Sequence, residues 1–533
     1  MGSISRRRFL AATAASAGLA ALRCSDGGSG EDSGTEVAGT PTKGAVKRGG
    51  AFRLATTVPA LSIDPHTEVT MGLAFICFIY GYLLHEIQRQ DGAPLIIYDH
   101  ARSLEQPDPL NYVFNMRPGV RFQNVPPANG REVSADDALY SFKRIASGDS
   151  TAFWTSGIAE MSAPDSSTFS VRLTEPYAYT MAEFGGIRTA IVPPEAVEQF
   201  GDLKTHACGS GPFQVRNLSQ HEGIEMAGNP DYYVTGLPYV DTMSWRTFAD
   251  DASIQAAFKS RQIDVYGPPS KFQADNVAAI DHVLLIKNPN LAINMINLNE
   301  IAAPILQDMR VRQALDLSLD RDAMIDKLCF GEGNYTGPVS WGLDFWSLPQ
   351  EELRTRYRRD VAKSRQLLEA AGASDLTLEL KCTSDSADLA SMIKQQTAEA
   401  GITINIRALE LGSWVADLFS QNFQLMAGAG LPYGDENLPL QFNHTHNWTR
   451  RQNPVRLPEP EIDALLEEIL RTVDLTERQK LVHDVTRKII DRHGPFLYLY
   501  APYAFTARWD YVHGYEDVDP AMIAYTYDMW LDT

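Results

Sequence analysis

The chain has 533 residues, 44% hydrophobic and 21% charged, with a formal charge of −20. That length exceeds what one hydrophobic core sustains, so two or three domains are expected in an ordinary globular protein. The acidity excludes nucleic acid as a partner and simple adsorption to an anionic membrane, both of which need Lys and Arg facing phosphates.

Residues 1–23 read as an address. Ser5-Arg6-Arg7-Arg8-Phe9-Leu10 has the twin-arginine pattern of Tat export, and the apolar run from Ala11 to Leu22 is too short to span a bilayer. Cys24 follows, then a polar tether to residue 48, so Cys24 is a candidate lipidation site, although Arg23 before it is unlike the small residues that usually precede such a cysteine. Removing residues 1–23 takes away four arginines and no acid, changing the net charge from −20 to −24. The expected location is outside the cytoplasm, in the periplasm or on the outer face of the cell membrane, held by a lipid anchor only. Four further cysteines, 77, 208, 329 and 382, show no C-x-x-C spacing, and free buried thiols are the expected state.

Past residue 49 strands and capped helices alternate. Residues 51–55 and 111–116 alternate as strands, and Ser134 caps a helix running through Ile145. Met71 to Leu84 reads as a core helix, and 308–320 as an amphipathic one. Asp360 caps a helix that Gly372 ends, 376–380 and 402–406 are strands, and 391–400 is a helix between them. Helices at 460–472 and 476–492 precede an aromatic strand at 496–500. The class is α/β with mixed sheets, and no 20–50-residue repeat is present.

No signature of catalysis appears: no G-x-S-x-G elbow, phosphate loop, H-E-x-x-H or dinucleotide fingerprint. Gly209-Ser210-Gly211-Pro212 is a tight loop or hinge, and His444-Thr445-His446 lacks the further ligands a metal needs. No catalytic residue, cofactor or metal is assigned.

An ordered series of strings carries a resemblance. It runs through Gly49-Gly50-Ala51-Phe52-Arg53, Ser62-Ile63-Asp64-Pro65-His66, Phe114 to Phe122 and Ser134-Ala135-Asp136-Asp137-Ala138. It continues through Gly209 to Phe213, Asn229-Pro230-Asp231-Tyr232-Tyr233, Ile263-Asp264-Val265, Val311-Arg312-Gln313-Ala314-Leu315 with Leu319 to Asp322, and Pro460 to Leu466. Over roughly residues 49–515 the chain resembles the family 5 extracellular solute-binding proteins, the oligopeptide- and dipeptide-binding proteins of ABC importers. The resemblance implies a two-lobed periplasmic-binding-protein-like type II fold with an extra domain. Its three domains are 49–92 with 209–290 and 505–533, then 93–208, then 291–504; 1–23 is the signal and 24–48 the tether. It also implies a monomer that closes its lobes around a small-molecule solute and hands it to ABC permease subunits. The loops 209–212 and 288–290 are the expected crossings between lobes.

The same resemblance supplies candidate ligand contacts. After the strand Phe423 to Ala427, Gly430 stands where the family carries a tryptophan, and Tyr433 where it carries the aspartate that pairs with a peptide's ammonium; Asp435 and Glu436 match only a later acid. Thr70 and Met71 align with contacts near Asp64-Pro65-His66, Tyr498 and Tyr500 with an aromatic near the cleft, and Trp341 and Trp346 lie in a loop near it. Trp414 and Trp448 are weaker candidates. The missing aspartate keeps a sugar- or opine-type solute open beside a peptide-like one. A ligand sensor docking a membrane partner, and an enzyme using Asp435 and Glu436 as acid and base, are the readings from other classes.

Overall fold

The computed structural model describes residues 46–59, 62–67, 73–88, 94–148, 155, 157–430, 440–441, 443–444, 458–515 and 528–532. The local signals of the sequence are met where they rest on short-range chemistry. The strand Asn111–Met116 alternates, burying Tyr112, Phe114 and Met116. The helix Ala135–Ala146 starts after Ser134, whose backbone N–H donates to Asp137 at 2.8 Å, and buries Ala138, Phe142 and Ile145 along one stripe. Asp360 caps Val361–Ala370 by accepting from the Lys363 N–H at 2.8 Å.

Two expectations change in contact with the tertiary structure. The helix expected over Met71 to Leu84 is only Leu73–Ile79, and Leu84–Gln88 is a strand. Between them Gly81 bridges to Ile191, where an added Cβ would stand 2.1 Å from the His100 ring, so the backbone passes where no side chain fits. The aromatic strand expected over 496–500 runs fourteen residues, Phe496–Trp509.

Two hydrophobic cores organise these elements. One takes buried side chains from Phe52 to Val277 and again from Ala507 to Leu531. Over it lie a four-stranded sheet in the order Ala51–Thr56, Thr242–Thr247, Gly223–Gly228, Phe213–Ser219, and a second in the order Ala101–Asp108, Asn111–Met116, Thr168–Leu173, Ile158–Asp165. The other core takes side chains from Ile293 to Tyr500. Its sheet runs Phe496–Trp509, Asn294–Leu298, Leu425–Ala429, Thr377–Thr383, Thr403–Leu409, the last three mutually parallel.

The chain joins the cores through two antiparallel segments. Val283–Pro289 pairs with residues 503–509 of the long strand, and Asn294–Leu298 pairs with residues 496–500. Asn288-Pro289-Asn290 therefore lies at a crossing, with the Asn290 N–H on the Pro502 carbonyl at 3.1 Å. Gly209-Ser210-Gly211-Pro212 does not. Cys208 and Phe213 on either side belong to the same core, and a Cβ on Gly209 would sit 2.0 Å from the Ile79 carbonyl oxygen. Close approach of two backbones, not hinge motion, requires glycine there.

Cysteines 77, 208, 329 and 382 are free. Burial pushes the Cys208 thiol up to about 11, and the Cys329 thiol up to about 12, so both remain protonated and unreactive at neutral pH. Cys24 lies outside the described residues. Among the described residues no helix is long and apolar enough to cross a membrane.

Candidate solute cleft between two lobes

The crossing strands place several of the aligned residues in one row. Asn294 pairs with Ala429 on one side and with Tyr500 on the other, and the Gly430 N–H donates to the Ile293 carbonyl at 2.8 Å. Gly430, Tyr498 and Tyr500 thus share the end of the second lobe's sheet that meets the crossing. Trp341 joins this row from a separate loop: its indole N–H donates to the Ala501 carbonyl at 3.0 Å, and its ring meets Tyr503 edge-on at 4.8 Å.

Packing gives each of these residues a specific surrounding. A Cβ on Gly430 would lie 2.7 Å from the Met295 Cε, so Met295 occupies the space that a larger residue at 430 would take. Tyr498 is buried, its hydroxyl accepting from the Asn443 amide at 3.0 Å and its backbone carbonyl from Arg321 Nε at 2.9 Å. Tyr500 is buried too, and burial, with the Cys329 thiol beside it, pushes its phenol far above the ordinary range. Trp341 is 8% exposed. The structure sets these aromatic residues as the wall of the junction, with most of their surface against protein.

Trp346 stands apart from the row. It is 1% exposed, and the guanidinium of Arg478 lies 5.0 Å from its ring centre. Trp414 is half-buried against Gly428, beside Phe423 and Met426. Thr70, Met71, Tyr433, Asp435, Glu436 and Trp448 lie outside the described residues.

The turn that leads toward Thr70 and Met71 is nonetheless well defined. Arg144 holds Asp64 through two nitrogens at 2.8 and 2.5 Å, and the Asp64 carboxylate also accepts from the N–H groups of His66 and Leu203, each at 3.1 Å. Burial opposes ionisation of Asp64, but these donors overcome it and hold its carboxyl below the usual range. His66 is buried, and burial followed by the charge of Arg144 lowers it to about 4. Arg144 has only protons to give, so His66 Nδ1 accepts from it at 2.9 Å and Nε2–H donates to the Ala190 carbonyl at 2.8 Å. A neutral imidazole is thereby wedged between two elements of the first lobe.

A further contact joins the lobes and was not legible in the sequence. Tyr179, carried on a segment of the first lobe, packs into the second lobe's core beside Arg478. Nothing local in the sequence around Tyr179 marks a partner some three hundred residues away.

Comparison with known proteins agrees with this architecture. Residues 96–448 match the family described as "Bacterial extracellular solute-binding proteins, family 5 Middle". The glutathione-binding protein GsiB of Salmonella typhi is 25% identical over 407 residues, covering 73% of this chain and 77% of that protein. Among solved structures, the periplasmic binding protein DppA from Helicobacter pylori in complex with the peptide STSA superposes with a TM-score of 0.77 at 21% identity, over 91% of this chain and 99% of that one. The binding protein AgaA in complex with agropinic acid, from A. tumefaciens R10, gives 0.76 at 20% identity over 91% and 99%. These likenesses establish the two-lobed fold of periplasmic binding proteins. With the family match spanning most of the chain, this protein belongs to the family 5 bacterial extracellular solute-binding proteins.

Proposed function

We propose that this solute-binding protein captures a small polar, peptide-like solute outside the cytoplasm and delivers it to the permease of an ABC importer by closing its lobes. The observation that carries the reading is the family match over residues 96–448 on a fold whose two cores are joined by two crossing strands. Such a junction permits rotation of one lobe against the other, and a solute touched by both lobes favours the closed state. The relative named for glutathione binding and the structural neighbour in complex with the peptide STSA support a peptide-like solute.

The finer reading follows the same line. The chain acts by binding and release rather than by catalysis, as a monomer. Its lobes divide into three domains, 49–92 with 209–290 and 505–533, 93–208, and 291–504, the first two sharing a core. Tat export through Arg6 and Arg7 places it in the periplasm or, with a lipid on Cys24, on the outer face of the cell membrane. Calorimetry against short peptides, glutathione and opines, followed by X-ray scattering with any binder, tests the proposal. A binder that reduces the radius of gyration is expected; a binder that leaves it unchanged defeats the closure model.

A further inference from the structure

Among the described residues, two regions of the first lobe approach the second: the crossing strands, and a short arm from Glu175 to Thr180. Leu173 and Phe184 belong to the first core, and Tyr177 and Met181 pack against it, yet Tyr179 between them is 4% exposed within the second core. The guanidinium of Arg478, on the helix Leu475–Asp491, lies 4.8 Å from the Tyr179 ring centre and 5.0 Å from that of Trp346. Backbone groups add to this contact. The Ala178 N–H donates to the Leu470 carbonyl at 2.8 Å, and Arg478 Nη1 donates to the Ala178 carbonyl at 3.3 Å. At the rim, Arg471 Nε meets Glu175 at 2.9 Å with both side chains about half exposed.

The arm is braced from its own side. The Tyr177 hydroxyl donates to Glu183 at 2.8 Å, and the Thr180 hydroxyl to the Tyr177 carbonyl at 2.6 Å. It therefore moves with the first lobe, while Leu470, Arg471, Arg478 and Trp346 move with the second. A buried cation between two aromatic faces is stronger than an exposed one, because water no longer competes for it. Every one of these contacts is protein against protein across the lobe boundary, so each favours the closed arrangement whatever the solute.

We propose that the Glu175–Thr180 arm is an interlobe latch, with Tyr179 seated on Arg478, that stabilises closure independently of the solute and so sets how closed the unloaded protein is. The proposal rests on the two-lobe closure read above. A latch of this kind raises the population of the binding-competent form and thereby the apparent affinity, by the factor through which it shifts the open–closed equilibrium.

The test uses the purified protein with no solute added, so its outcome does not depend on which solute is bound. X-ray scattering and hydrogen exchange of the 175–180 segment are compared for the wild type, Tyr179→Ala, Arg478→Met and Glu175→Lys. The last sets a lysine against Arg471 at a half-exposed position and leaves both cores untouched, so it decides the matter if the other two fail to fold. The expected result is a larger radius of gyration in the variants and at least tenfold faster exchange at the Ala178 amide, with the thermal transition retained. An unchanged radius and unchanged Ala178 protection in a folded Glu175→Lys protein would overturn the latch, as would an unprotected Ala178 amide in the wild type. Solute-induced compaction that persists in the face of either result leaves the solute-binding function standing and removes only the latch.

Discussion

Arg144 grips the Asp64 carboxylate with both terminal nitrogens, at 2.8 and 2.5 Å, in a site where the aspartate is fully buried. The pair pins the turn before Thr70 and Met71 to the helix Ala135–Ala146. Removing one member of a buried pair leaves the other charge uncompensated, which costs about 3–5 kcal/mol. Asp64→Asn is expected to lower the stability measured by urea unfolding by that order, and Arg144→Met by a similar amount. A loss under 1 kcal/mol in both would show that the pair is dispensable.

His66, in the same site, gives a pH signature. Its folded pKa is lowered from 6.5 to about 4, so between those values the unfolded chain binds more protons than the folded one. Stability from this group is present above pH 6.5 and is lost as pH falls toward 4, by up to about 3 kcal/mol. Asp64 acts in the same direction at lower pH, since its folded pKa is also lowered. Urea unfolding across pH 4–7 is expected to show this slope in the wild type and a smaller one in His66→Gln. Identical slopes would show that His66 does not contribute to the pH dependence.

Gly209 approaches the Ile79 carbonyl so closely that a methyl group there would stand 2.0 Å from the oxygen. The obstacle is backbone, which cannot rotate aside, so Gly209→Ala is expected to cost about 1–3 kcal/mol or more in stability. Gly119→Ala makes a useful contrast, because no atom lies within 4 Å of its Cβ position and only its φ of +80° opposes the change. Equal tolerance at both positions would contradict the packing argument.

These residues show what the sequence discloses and what it withholds. The cap at Ser134, the cap at Asp360 and the alternation of residues 111–116 are local chemistry, readable within a few positions, and the helices and strands form where those signals stand. The glycines at 209 and 211 are equally visible, but whether they serve a hinge or a close approach depends on Ile79, far away in the chain. The long strand Phe496–Trp509 outruns its aromatic first half because partners at 265–266, 283–289 and 333–334 extend it. Tyr498 and Tyr500 flank one side of the strand Asn294–Leu298 at the junction and Gly430 the other, whereas Trp346 goes to Arg478, and only tertiary contact separates the two tryptophans of that loop.

Ligand class turns on the loop after Gly430. On the resemblance set out from the sequence, Tyr433 is expected where the family carries an aspartate that balances a peptide's ammonium, and a phenol neutral at pH 7 cannot do so. Losing a charge-assisted bond in a closed cleft is worth about 1.5–3 kcal/mol, roughly tenfold to a hundredfold in affinity. Unmodified di- to pentapeptides are therefore expected to bind weakly in calorimetry, and Tyr433→Ala to weaken the true solute more than Asp435→Asn does. Micromolar binding of such peptides, abolished by Asp435→Asn, would show that Asp435 supplies the missing charge.

Fractionation checks the proposed leader and the proposed lipid anchor independently. Replacing Arg6 and Arg7 by lysine is expected to leave precursor in the cytoplasm, and Cys24→Ala to release the protein from the membrane fraction. Unchanged fractionation of either variant would remove the corresponding step.

Native mass spectrometry of the freshly purified protein decides whether the lobes enclose a small solute. A discrete noncovalent adduct of small mass, lost when the chain is unfolded, is the predicted result. The bare chain mass alone, unchanged after incubation with a concentrated extract of spent growth medium, would contradict it.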